Sequence, residues 1–329
     1  MSMPVIVSGM RPTGPLHIGH YLGVLENWVR LQGSYQCYYF VADWHALSTK
    51  YENPAELGRY SVAIVRDWLA AGLDPARTVI FRQSDVLQHA ELNVLLGMLT
   101  PLGWLERVPS YKEMQQQLDH TELATYGFLG YPLLQAADIV LYKANAVPVG
   151  EDQVPHLEFT REVVRRFHHL YSADIFPEPK PLLSVAPRLR GTDGRKMSKS
   201  YGNTLDLDWT AEQTTAKIKP MKTDERRKTL KDPGEPDDCP VFDYHKVVTP
   251  EPERQELAAG CRSAAFGCMH CKMIMAKNLN ERLAPMRERR DAITESVARE
   301  VLQTHAARAR DVAEASMAEV RRVVGLSGS

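Results

Sequence analysis

Cysteine is scarce in this chain of 329 residues: there are five, and four of them lie beyond residue 238. That distribution argues against the even framework of a small disulfide-stapled secreted domain and leaves metal or cluster binding as the reading for a clustered set. No window approaches eighteen apolar residues, so no helical membrane span and no membrane partner are expected. The opening stretch MSMPVIVSGMRPTG has no basic segment leading into a long apolar one, so the cytoplasm is the expected location. An excess of charge is also missing. Lysine and arginine number 40 against 41 acidic residues, so any attraction to nucleic acid has to come from local patches. Neither a repeat nor a low-complexity tail stands out. With 44% hydrophobic and 25% charged residues, the balance is that of a globular protein with room for one large and one smaller domain.

Apolar runs and periodicity set the expected fold. Pro4 to Ser8 reads as a buried strand, and from Ile18 the spacing of Tyr21, Leu22, Leu25, Trp28 and Val29 predicts a helix to about Gln32. Strands over Cys37 to Asp43 and Thr78 to Ser84 bracket a helical AELGRYSVAIVRDWLAAG. The alternation predicts an α/β fold, a Rossmann-like doubly wound parallel sheet. A further helix covers QVPHLEFTREVVRRFHHLY. Pro181 to Leu207 has no helical period and marks a boundary. The expected organisation is a Rossmann-like domain over 1–200, an all-α domain over 201–295 and a C-terminal helix within 296–329 that packs back on the first domain.

Two motifs carry the chemistry. GPLHIGHYLG (14–23) sets His17 and His20 in the first turn of a helix leaving the first strand through a glycine turn, where unpaired N–H groups and the helix dipole favour phosphate. An isolated H-x-x-H would more often be a pair of surface histidines at a helix end. GRKMSKS (194–200) places Lys196 and Lys199 either side of Ser198 in a glycine-flanked loop able to neutralise a departing pyrophosphate; alone, it would more often be a solvated basic loop. Together the two resemble the paired signatures of class I aminoacyl-tRNA synthetases, which bind ATP from opposite sides. In YPLLQAADIVLYKA (131–144), Asp138 sits in an apolar helix, and a lone buried carboxylate costs several kcal/mol unless a donor reaches it. An internal partner is one reading. The other is that the substrate brings the donor, for which an indole N–H or a tyrosine hydroxyl would serve.

SGMRPTG, YFVADWHAL, YPLLQAADI and VPVGEDQVPH together resemble bacterial tryptophanyl-tRNA synthetases over nearly the whole chain. The resemblance implies an ATP-dependent, Mg2+-requiring tryptophan–tRNA ligase that works as a homodimer on L-tryptophan and tRNA(Trp). It implies that Asp138 accepts the indole N–H, that Tyr131 and Gln153 contact the amino and carboxylate ends, and that His45 and Val149 line the ring pocket. It further implies ATP contacts from Gly19, Gly150, Asp152 and Met197, and catalytic roles for His17, His20, Lys196, Ser198, Lys199 and Lys112. Arg11 and Gln135 depart from the family pattern and receive no role. No inserted editing domain is expected. A tyrosyl-tRNA synthetase is the nearest rival; more distant are a small-metabolite nucleotidyltransferase and an inactive cluster-bearing RNA-binding paralogue.

The remaining cysteines are spaced Cys239, twenty-one residues, Cys261, six residues, Cys268, two residues, Cys271. Four thiolates with a terminal C-x2-C pair can enclose a zinc ion or a [4Fe-4S] cube. The chain is similar to the subset of the family with a cysteine set much like this, and that likeness implies [4Fe-4S] near the anticodon-reading surface, with Zn2+ as the alternative. Cys37 is expected in the core. A basic stretch from Lys217 to Lys231 is expected to be helical and to face tRNA phosphates.

Overall fold

The computed structural model describes residues 3–109, 125–183 and 189–326. Among the described residues five strands form one sheet: β1 Val5–Met10, β2 Gln36–Val41, β3 Thr78–Arg82, β4 Ala146–Val149 and β5 Lys180–Leu183. All pairings are parallel and the order is β3-β2-β1-β4-β5. Strands β2, β3 and β4 are almost entirely buried along their length, as parallel sheets covered on both faces require. Strand order reverses between β1 and β4, which opens a crevice at their carboxyl ends.

Helix α1 starts as Ile18–His20, passes through a π-helical turn Tyr21–Leu25 and continues as Glu26–Leu31. Then come α2 Asp43–Lys50, α3 Leu57–Ala71, α4 Gln88–Gly97, α5 Leu102–Leu105, α6 Tyr126–Leu141 and α7 Val154–Tyr171. Beyond β5 lie α8 Ala211–Ile218, α9 Pro240–Val248, α10 Glu251–Arg262, α11 Cys268–Ala292 and α12 Glu295–Val323.

Two apolar cores flank the sheet. One joins Ile6, Leu25 and Trp68 to Ile218, Met275 and Leu279, so the helical region shares a core with one face of the sheet. The other buries Phe81, Ala137 and Phe167 together with Ala309, Ala313 and Met317 of α12. Small residues on α12 let it lie close against β3, an edge strand. There His305 Nδ1 accepts the N–H of Ile80 at 3.0 Å, which satisfies a donor that an edge strand would otherwise expose. Helices α3 and α11 exchange C-terminal contacts. Arg66 donates to the carbonyls of Arg290 and Ile293, Arg289 donates to that of Ala70, and Arg290 pairs with buried Asp67 at 2.6 Å. Each helix thus supplies cations to the negative end of the other.

Two sequence expectations fail here. β5 was not expected, because KPLL is short and opens on a lysine and a proline, a poor strand signal. The basic stretch is not a helix beyond Ile218. From Lys219 the chain runs in turns to a short 3-10 turn, Pro236–Asp238. Asp224 organises it by accepting from the backbone N–H groups of Arg226 and Glu235 and from the Arg226 side chain, local bonds that compete with helix.

Candidate active site and cysteine cavity

The turn between β1 and α1 delivers the two histidines. Gly14 adopts φ +144°, open to glycine, and a Cβ there would lie 3.2 Å from Lys199 Cδ. His17 caps α1, its backbone N–H bonded to His20 Nδ1 at 3.2 Å, and the two rings lie 3.8 Å apart. A Cβ on Gly19 would meet the His17 ring at 3.1 Å and Met197 Sδ at 3.4 Å, so Gly19 and Met197 face each other across the seam between the two motifs. Burial, then the charge of Lys199, pushes His17 down to about 4. Burial, then His17 and Lys199, holds His20 well below the ordinary histidine range. Both rings are therefore neutral near pH 7 and can offer N–H donors.

The lysine loop closes onto this turn. Lys199 Nζ donates to the Gly14 carbonyl at 2.9 Å, and its own burial pushes its pKa down to about 8. Backbone bonds from Ile18 to Leu205 and from Leu207 to Leu16 stitch the segment after the loop to the one before α1. Asn203, only 2% exposed, sets the loop's shape. Its Oδ1 accepts from the Ser198 N–H at 2.8 Å, and its Nδ2 donates to Asp193 at 2.8 Å and to the Lys196 carbonyl at 3.0 Å. Lys196 itself is exposed. No sequence signal beyond its place after the motif pointed to Asn203.

A cavity of about 320 Å³ opens at the carboxyl ends of β1 and β2, with Arg11, His45, Tyr131, Gln135, Asp138 and Gln153 in its wall. It adjoins a second of about 270 Å³ that shares Asp138, Gln135 and Gln153 and adds His20, Val149 and Gly150. Tyr131 and Asp138 are two helical turns apart on α6, on one face. Gly9 on β1 lets the Phe40 ring lie against the backbone, since a Cβ there would collide with it at 2.8 Å. Asp152, exposed, lies over Gly150 and accepts from Gln153 Nε2 at 3.1 Å. Tyr131 Oη lies 2.8 Å from His156 Nε2.

Asp138 is 1% exposed, and the reading in which it lacks an internal donor is overturned. His45 Nε2 meets Oδ2 at 2.8 Å, His89 Nδ1 meets Oδ1 at 2.7 Å, and Gln83 Nε2 reaches the two oxygens at 2.8 and 3.0 Å. Burial alone would raise this carboxyl, but the bonds from His45 and His89 outweigh it and hold the pKa below the usual aspartate range. The sequence hid these partners because they come from α2, the end of β3 and α4. The one available signal was a glutamine at the carboxyl end of a parallel strand, where α/β sheets place ligands.

Cys239, Cys261, Cys268 and Cys271 all line one small cavity between α9, α10 and α11, with Arg227 beside them. His245 Nε2 lies 3.2 Å from Cys271 Sγ. Among the described residues, however, no group of three or more His, Cys, Asp or Glu side chains is placed to hold a metal ion. Cys37 lies in the core of β2, its Sγ 3.4 Å from the Tyr35 carbonyl. Lys112 lies outside the described residues. No described helix is long and apolar enough to cross a membrane.

Comparison with known proteins gives a consistent picture. Residues 2–284 match the family model for tRNA synthetases class I (W and Y). The chain is 50% identical over 325 residues to a tryptophan–tRNA ligase of Thermotoga maritima, covering 98% of this chain and 99% of that protein. It superposes with a TM-score of 0.87 and 31% identity on the crystal structure of tryptophanyl-tRNA synthetase from Campylobacter jejuni complexed with ADP and tryptophan, covering 98% and 99% of the two chains. A tyrosyl-tRNA synthetase from Archaeoglobus fulgidus, complexed with L-tyrosine, shares the fold at 22% identity and a TM-score of 0.66, covering 87% and 90%.

Proposed function

Because the chain belongs to the class I tRNA synthetases of the tryptophan and tyrosine group, we infer that it activates L-tryptophan with ATP and transfers it to tRNA(Trp). The observation that carries this is the meeting of His17, His20 and Lys199 at a crevice whose far wall holds Asp138. Tryptophan carboxylate attacks the α-phosphorus of ATP, supplied as its Mg2+ complex. A carboxylate–phosphorus bond forms as the bond to pyrophosphate breaks, and pyrophosphate leaves with the electron pair. The histidines are neutral, so they act as hydrogen-bond donors to phosphate oxygens rather than as acids, while Lys196 and Lys199 neutralise the leaving group. The terminal ribose hydroxyl of tRNA then attacks the activated carbonyl and releases AMP. Asp138 accepts the indole N–H, Tyr131 and Gln153 hold the amino acid's polar ends, and Val149 packs against the ring. Asp152 faces the ribose, and Gly150 beside it is a further ATP contact.

Pyrophosphate exchange into ATP tests this reading: it should depend on tryptophan and ignore tyrosine, and exchange supported by tyrosine alone would refute the assignment. Three finer readings accompany it. The four cysteines hold a [4Fe-4S] cluster as a structural staple of the helical region, supported by the convergence of all four on one cavity; the cluster would fasten α9, α10 and α11 beneath exposed Lys222, Lys228 and Lys231, which suit tRNA phosphates. Iron and sulfide analysis of anaerobically purified protein checks it, and one zinc with no sulfide would end it. The chain works as a homodimer, supported by exposed Val94 on α4, exposed Leu87 and Met98 at its two ends, and exposed Tyr126 beside Gly97. Sedimentation of the whole chain decides this. The third reading is that the chain works in the cytoplasm, supported by its family's tRNA substrate.

A further inference from the structure

We propose that Gln83, His89 and Tyr142 are positioning residues for specificity: from behind the pocket they fix Asp138 as a hydrogen-bond acceptor, so that the site takes only a ring that donates. This rests on the tryptophan reading above. Gln83 and His89 are fully buried and Tyr142 is 2% exposed, and all three stand behind the cavity wall rather than in it.

Their orientations are set by the chain. The backbone N–H of His45 points to Gln83 Oε1 at 3.4 Å, which turns the NH2 end of that amide onto the carboxylate, where it bridges both oxygens. His89 is boxed by the rings of Phe40, Phe81 and Tyr142, with centroids 5.4 to 5.9 Å away, so water does not compete for its nitrogens. Its Nε2 lies 2.8 Å from the Tyr142 hydroxyl and its Nδ1 2.7 Å from Asp138 Oδ1. A neutral imidazole has one N–H and one lone pair. With Tyr142 donating to Nε2, the proton sits on Nδ1 and points at the carboxylate. The reverse tautomer would set a lone pair against a lone pair. The chain of donors therefore runs one way, from hydroxyl to imidazole to carboxylate, and Gln83 adds a second donor that a protonated acid would meet less well.

Oδ1 is thus committed to the interior, and Oδ2 is the oxygen facing the ligand, where His45 from α2 is its pocket-side partner. The other titratable groups around this carboxylate are Arg11, Tyr131 and His156 in the wall of one cavity and His20 in the wall of the other. An acceptor-only site discriminates because a ring without a donor forfeits a charge-assisted hydrogen bond to Oδ2 and gains nothing in its place. Weakening the support lets Asp138 take up a proton, after which it offers a donor of its own and tolerates a ring with none.

The test compares tryptophan with its benzothiophene analogue, which carries sulfur in place of the ring N–H, in pyrophosphate exchange across acidic to alkaline pH. Tyr142→Phe and, as an independent variant, Gln83→Met are each expected to raise KM for tryptophan roughly tenfold with little change in kcat. The preference for tryptophan over the analogue should shrink by a similar factor, and the KM defect should grow toward acid pH. An equal loss for both amino acids, or an unchanged preference, overturns the proposal. If the unaltered enzyme fails to use tryptophan at all, the functional reading is what falls.

Discussion

Asn203→Ala isolates the contribution of loop geometry to catalysis, because Asn203 touches neither the Asp138 pocket nor the histidines yet holds the lysine loop in shape. The substitution removes the bonds to the Ser198 N–H and the Lys196 carbonyl, with donor–acceptor distances of 2.8 and 3.0 Å, at a position 2% exposed. At about 1 kcal/mol net for each, plus part of the cost of stranding their partners, the loop loses about 2–3 kcal/mol of ordering free energy. If that ordering is needed only when pyrophosphate departs, kcat for exchange falls roughly 30- to 150-fold. KM for tryptophan stays unchanged, since the pocket is built from other elements. The contact to Asp193, which holds that carboxyl down to about 2 through the amide bond first and Arg195 after it, predicts that Asn203→Asp is worse than Ala: it sets two carboxylates against each other. Steady-state exchange at varied tryptophan measures both parameters. Wild-type kcat in the alanine variant would show that the loop's shape does not depend on this amide, and the reasoning would fail.

Three further outcomes are expected. Gly14→Ala forces a Cβ toward Lys199 at a φ of +144°, a strain on the order of 1–3 kcal/mol, so exchange should drop about tenfold or more while tryptophan affinity measured by fluorescence is kept. Lys199 acts as a cation, so kcat/KM for ATP should decline as pH rises past about 8; Lys199→Arg should remove that alkaline limb, and a limb that persists would assign it to another group. His305 has its pKa lowered from 6.5 to about 4, by burial first and Arg308 second, so the unfolded chain binds its proton more readily. Its contribution to stability is therefore complete above pH 6.5 and lost as pH falls toward 4. In His305→Gln the acid dependence of the melting temperature should flatten, and an unaltered slope would contradict this.

The first three strands were legible because each is a run of apolar residues ended by turn residues, a pattern that water imposes on any doubly buried strand. The histidine and lysine motifs could be singled out because the chemistry of phosphate favours those residue types at short spacing, and the fold brings the two motifs into contact through Lys199 and Gly14. What could not be seen were contacts closed over long separations. Gln83 and His89 carry no motif and acquire meaning only when the fold brings α4 and the end of β3 beneath α6. Asp138 was correctly singled out as a buried acid, and the reading that left it without an internal donor failed for the same reason. The basic stretch misled by composition: its lysines and arginines are good helix formers, but Asp224 captures two backbone N–H groups and turns the chain.

The seal that α12 places on β3 is a late event in synthesis. Residues that build the crevice emerge from the ribosome early, yet the edge of the sheet at Ile80 stays open until the chain has been made beyond His305. A nascent polypeptide stopped short of that point would carry every catalytic side chain described above and still present a bare strand to its neighbours on the same messenger.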